Sequence, residues 1–175
     1  MSSATPRQKA TGTIQIQILG GVFRLDMQQR IILHERQGEL YTIRLTAKEF
    51  HIFFPLVILR ECTYPLLYTL VQNPDMVMLF EKDWKDLLDQ RQWPPALRER
   101  VAKMSQFLEE VKKVGKWERE IRSIRDGVIT LNHKILEPFH LQVIALHGYG
   151  YQLVSPSSAE NQSLSSTSTL TEERL

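Results

Sequence analysis

The sequence predicts an α+β fold: an N-terminal four-stranded antiparallel sheet, a helical middle and a C-terminal β-hairpin. Three observations point there. Apolar and polar residues alternate across residues 13–45. Apolar residues then recur at steps of three and four, above all over 97–135. Two short runs finally flank a glycine-containing turn at 147–150. A chain of 175 residues suits one domain with a real core plus tails.

The strands announce themselves one at a time. Ile14, Ile16 and Ile18 alternate with Gln15 and Gln17, the pattern of a half-buried strand. Gly20-Gly21 turns the chain into a second strand, Val22-Phe23-Arg24-Leu25. A turn at 26–29 leads to a third over 30–34. Gln37-Gly38-Glu39 makes the last turn, and Tyr41, Ile43 and Leu45 complete the meander. The polar residues 1–12 read as a flexible arm.

At Thr46 the period changes. Thr46-Ala47-Lys48-Glu49 has the spacing of a capping box, in which the threonine hydroxyl and the glutamate satisfy each other's backbone N–H. A helix starts there, and Pro55 predicts a kink or an early end. A second helical piece is expected over 66–71, stopped by Asn73-Pro74, and another over 80–90, before the break at Trp93-Pro94-Pro95. Leu97, Val101, Met104, Leu108 and Val111 mark an amphipathic helix over 96–114, ended by Gly115. Ile121, Ile124, Val128, Leu131 and Ile135 mark a longer one over 117–136, with Pro138 at its end. Gly127 inside it suggests a close approach, either to DNA or, the preferred reading, to a neighbouring helix. Strands at 141–146 and 151–154 close the domain. The serine-rich residues 155–175 are too polar to offset their ordering entropy and read as a disordered tail.

Several classes of function are disfavoured. The net charge of +2 excludes a strongly basic chromatin-like binder but leaves room for a domain with one basic face. The single cysteine, Cys62, forms no internal disulfide, which fits a cytoplasmic protein, and its apolar surroundings suit a buried residue. Pro55, Arg60, Glu61 and Pro65 interrupt the apolar stretch at 50–71, so no membrane association is expected. His133, His140 and His147 are separated by Pro138 and do not read as a metal site. No phosphate loop, nucleophile elbow or cofactor motif is present, so no enzyme is expected.

Two motifs carry a resemblance. Leu45-Thr46-Ala47-Lys48-Glu49-Phe50 is similar to the "LT-x-x-E-F" start of the first helix in OmpR/PhoB-type winged-helix effector domains. Residues 143–153, with His147-Gly148-Tyr149-Gly150-Tyr151 at their centre, resemble that family's closing "I-x-T-V-R-G-x-G-Y-x-L" hairpin. The resemblance covers roughly 14–58 and 117–154. It implies a winged helix-turn-helix over 13–154, with the β-hairpin as wing and a helical insertion at about 60–115. No receiver domain is expected ahead of it, so any part in a phosphorelay is expected to run through a partner.

The family match implies a sequence-specific transcriptional regulator that binds double-stranded DNA. The helix over 117–136 would lie in the major groove, with the wing at 146–151 on the adjacent minor groove or backbone. Arg119, Arg122, Asp126, Ile129, Thr130 and His133 point away from the apolar row, with Ser123 and Lys134 beside them. Arg119 and Arg122 suit phosphates or a guanine edge, Ser123 and Thr130 suit either phosphate or base, Ile129 suits a thymine methyl, and Arg125 and Asn132 lie on the flank toward the backbone. The resemblance places Ser123, Asp126, Thr130 and Asn132 at contact positions and His147 at the wing tip. The family carries arginines where this chain has Ile129, Thr130, Asn132 and His147. The alternative is a protein-interaction module that has lost DNA binding. It would use the apolar row over 96–114 to meet RNA polymerase, another regulator or a second copy in a homodimer.

Overall fold

The computed structural model describes residues 13–73, 75–76 and 95–156. The arm expected over 1–12, the helix expected over 80–90 and the tail beyond 156 lie outside the described residues. What is described is a mixed α+β fold, as the patterning predicts.

Strands β1 (Thr13–Ile18), β2 (Gly21–Asp26), β3 (Ile31–Arg36) and β4 (Glu39–Arg44) pair in sequence order as an antiparallel sheet. Their register lines up Ile16, Phe23, His34 and Tyr41 in one row, and Ile14, Leu25, Ile32 and Ile43 in the next. Every second side chain thus faces the core, which is the physical content of the period-2 pattern. Asp26 closes the β2–β3 turn by accepting from the backbone N–H of Gln28 (3.0 Å) and Gln29 (2.8 Å).

Helix α1 (Ala47–Leu59) begins on the expected capping box. Thr46 Oγ1 accepts from Glu49 N at 3.3 Å, and Glu49 Oε2 accepts from Thr46 N at 2.8 Å. The helix does not stop at Pro55 but runs through it to Leu59. The reason is tertiary. Phe50, Ile52, Phe53, Phe54, Leu56, Val57 and Ile58 are all buried. Each contributes about 1.5–3 kcal/mol, so together they outweigh the ~3 kcal/mol that an internal proline costs.

At Arg60 the backbone turns with φ of 68° into β5 (Glu61–Thr63), a strand that sequence patterning does not announce. β5 pairs with β7 (Gly150–Val154), which in turn pairs with β6 (Gln142–Leu146), giving a second sheet of order β5-β7-β6. Helix α2 (Tyr64–Gln72) follows at once, with Thr63 as N-cap, Pro65 in the first turn and Asn73 as C-cap. Residues 61–72, counted with the inserted segment in the sequence reading, are therefore a strand and a helix built into the core.

Helix α3 (Pro95–Lys113) closes at Gly115, whose φ of 70° is what a left-handed cap requires. Gly115 N donates to Lys112 O and Lys116 N to Val111 O, both at 3.1 Å, the bonding of a Schellman motif. Helix α4 (Trp117–Phe139) runs past Pro138, beyond the end expected at 136. Phe139 accounts for the extension. It is buried against Phe23, His34 and Phe53, with ring centroids 5.6, 5.1 and 6.5 Å away. His140, at φ 50°, then reverses the chain into β6. Among the described residues no helix is long and apolar enough to cross a membrane. Cys62 is buried on β5, and burial pushes its thiol far above the ordinary range, which leaves it unreactive.

Candidate nucleic-acid interface

Helix α4 is seated by one face. Ile121, Ile124, Val128, Leu131 and Ile135 are buried along it. Gly127 lets it approach α1 closely: a Cβ there would lie 2.6 Å from Ile52 Cδ1 and 3.1 Å from Lys48 Cε. This is the close helix packing that the sequence suggests. The opposite face is open. Arg119, Arg122, Ser123, Arg125, Asp126, Ile129, Thr130 and His133 are all exposed. Arg122, Asp126, Ile129, His133 and Leu136 recur at steps of four and three, so they form one outward row.

The expected contact residues separate into two groups. Arg119, Arg122, Ser123, Asp126 and His133 stand outward. Arg125 also stands outward while pairing with Glu118 at 2.9 Å. Both partners are more than half exposed, so a phosphate can displace that pair at little cost. Thr130 is exposed, but its hydroxyl donates back to the carbonyls of Asp126 (3.1 Å) and Gly127 (3.0 Å). His147 is exposed at the tip of the β6–β7 turn, beside the half-exposed Tyr149.

Asn132 and Lys134 are turned to the protein instead. Asn132 Nδ2 donates to Val143 O and its Oδ1 accepts from Val143 N, both at 2.8 Å. One N–H and the oxygen of the amide thus hold β6 against α4, which turns the side chain from the flank toward the protein. Its partner lies eleven residues away on a strand, so nothing local in the sequence shows it. Asn132→Ala is expected to cost about 1–2 kcal/mol, because the Val143 N–H and C=O lose their partners together. Urea midpoints measure this, and an unchanged midpoint would show that the clamp carries no energy.

Lys134 Nζ lies 2.7 Å from Glu49 Oε2, tying α4 to the first turn of α1. The Glu49 side chain is nearly sealed from solvent. Burial pushes its carboxyl up, but the Lys134 ammonium and the Thr46 N–H and hydroxyl outweigh this and hold it below the usual carboxylate value. Lys134 is thus the counter-charge of a buried carboxylate, with its own side chain partly exposed. The outward positive charge of the helix therefore comes mainly from its arginines, interleaved with Glu118 and Asp126, with Lys112, Lys113 and Lys116 exposed just before them.

Helix α3 does not cover this face. Its apolar row is already occupied: Leu97, Leu108 and Val111 are buried, and Val101 and Met104 pack against the core. It lies mainly on α2, where the rings of Tyr68 and Phe107 meet at 6.5 Å. The row that the sequence offers to a partner helix is thus filled from within the molecule. Among the described residues no group of His, Cys, Asp or Glu is placed to hold a metal ion. Compared with protein-family models, curated proteins and solved structures, the chain matches none.

Proposed function

We propose that this protein is a sequence-specific DNA-binding transcriptional regulator. Helix α4 would enter the major groove, with the β6–β7 turn resting on the adjacent minor groove or backbone. One observation carries the reading: a helix of 23 residues is anchored by one apolar face, while a row holding Arg122, Asp126, Ile129 and His133 stays uncovered. Two further features support it. The Asn132 clamp ties the hairpin strand β6 to α4, which suits a two-point grip on a duplex. The element order also agrees with the winged-helix plan that the two sequence motifs imply.

Counterion release supplies the test. If about four phosphates are neutralised, affinity for a duplex should fall roughly a hundredfold between about 50 and 200 mM salt. Fluorescence anisotropy with a labelled random-sequence duplex reads this directly. Arg122→Ala should weaken binding and lower the salt slope by about one. Arg122 is exposed, so folding should be untouched. A folded protein that shows no binding at about 50 mM salt would exclude autonomous DNA recognition.

A further inference from the structure

In the middle of the outward face of α4, several polar side chains are already engaged within the protein. Asn132 is spent on Val143, Lys134 on Glu49, and the Thr130 hydroxyl proton is committed to carbonyls of its own helix. What remains at the midpoint of the row is Ile129, 51% exposed, three residues beyond Asp126 and four before His133. An aliphatic side chain there has one good match in the major groove. Only a pyrimidine with a C5 methyl presents an apolar group to that groove. Over any other base edge, isoleucine would strip water from donors or acceptors and return no hydrogen bond, which is costly.

Building on the DNA-binding reading, we infer that Ile129 is a specificity-determining residue that reads the C5 methyl of a pyrimidine. Arg122 and its neighbours hold the phosphates, and Ile129 sets the base at the centre of the contact. Thymine and 5-methylcytosine share this methyl; unmodified cytosine and uracil lack it.

The test starts by selecting a duplex from a random-core library with the full chain. Each thymine in the enriched site is then replaced in turn by deoxyuridine, which removes the methyl and leaves the hydrogen-bonding edge intact. At one or two positions the wild type should lose about fourfold in affinity, the worth of one buried methyl. Ile129→Ala should bind the thymine and uracil duplexes alike at those positions. A cytosine and a 5-methylcytosine duplex, compared at the same position, show whether the modified base is also accepted. If a site is enriched but no uracil replacement changes wild-type affinity, methyl reading is overturned while DNA binding stands. If Ile129→Ala keeps the wild-type sensitivity, the methyl is read by another residue. If no duplex is enriched, the DNA-binding reading fails and takes this inference with it.

Discussion

Replacing Gly150 by alanine should lower stability by about 3–4 kcal/mol, a large share of the ~5–15 kcal/mol that a domain has. Gly150 stands opposite Thr63 in the β5–β7 pairing. A Cβ there would fall 2.0 Å from the Cys62 carbonyl oxygen and 2.8 Å from Thr63 Cα. Both are backbone atoms, so no rotamer change relieves the clash and β5 must move away. The damage then spreads, because Thr63 is also the N-cap of α2 and β5 joins α1 to α2. Leu153 N donates to Arg60 O at 2.9 Å and Tyr64 N to Tyr149 O at 3.0 Å, on either side of the clash. Amide exchange at Tyr64 and Leu153 should therefore quicken more than exchange in β1–β4. Gly148 is the control: its φ of 72° favours glycine, but nothing lies within 4 Å of a Cβ there. Gly148→Asn should cost no more than about 1 kcal/mol, since asparagine tolerates that backbone. A Gly150→Ala thermal midpoint within a few degrees of wild type would show that β5 is not pinned where the structure places it.

Gly150 also illustrates what the sequence can and cannot disclose. The β1–β4 meander is legible because each strand is half-buried and each turn carries its own punctuation, as at Gly20-Gly21, Asp26 and Gln37-Gly38. The start of α1 is legible because the capping box lies within four residues, and the inner face of α4 because helical spacing exposes it. The features that escape depend on distant partners. A three-residue strand such as β5 has no pattern of its own; it exists because β7, some ninety residues later, pairs with it. Pro55 and Pro138 look like helix ends until the burial of Phe53, Phe54 and Phe139 around them is known. Asn132 and Lys134 look like outward polar residues because their partners, Val143 and Glu49, lie eleven and eighty-five residues away. The candidate face is thus readable as a face, while its membership is decided by tertiary hydrogen bonds.

His34 is a second case of that kind, and it makes stability depend on pH. The alternation of β3 places it on the inner face, where it is buried. Its ring stacks on Phe23 at 4.2 Å, meets Phe139 edge-on at 5.1 Å, and lies over Gly21, where a Cβ would sit 2.0 Å from Nε2. Among the described residues, its buried Nδ1 has no hydrogen-bond partner. Burial, with Arg36 and His140 nearby, holds its pKa below the ordinary histidine value of 6.5. The folded state therefore resists a proton that the unfolded chain accepts. Above about pH 7 both states are neutral there and stability is flat. As the pH falls through 6.5, stability should drop by up to about 1.4 kcal/mol per pH unit until the folded pKa is reached. His51, lowered by burial and by Arg30, adds to the same window, whereas Glu49 titrates below it. Denaturant unfolding between pH 7.5 and 5 should thus show a clear acid loss in the wild type and a shallower one in His34→Leu, the remainder belonging to His51. Parallel curves would mean that the imidazole takes up its proton without disturbing the core. A shallower curve would locate the acid weakness where the N-terminal sheet grips Phe139, and so at the C-terminal seat of the helix proposed to read DNA.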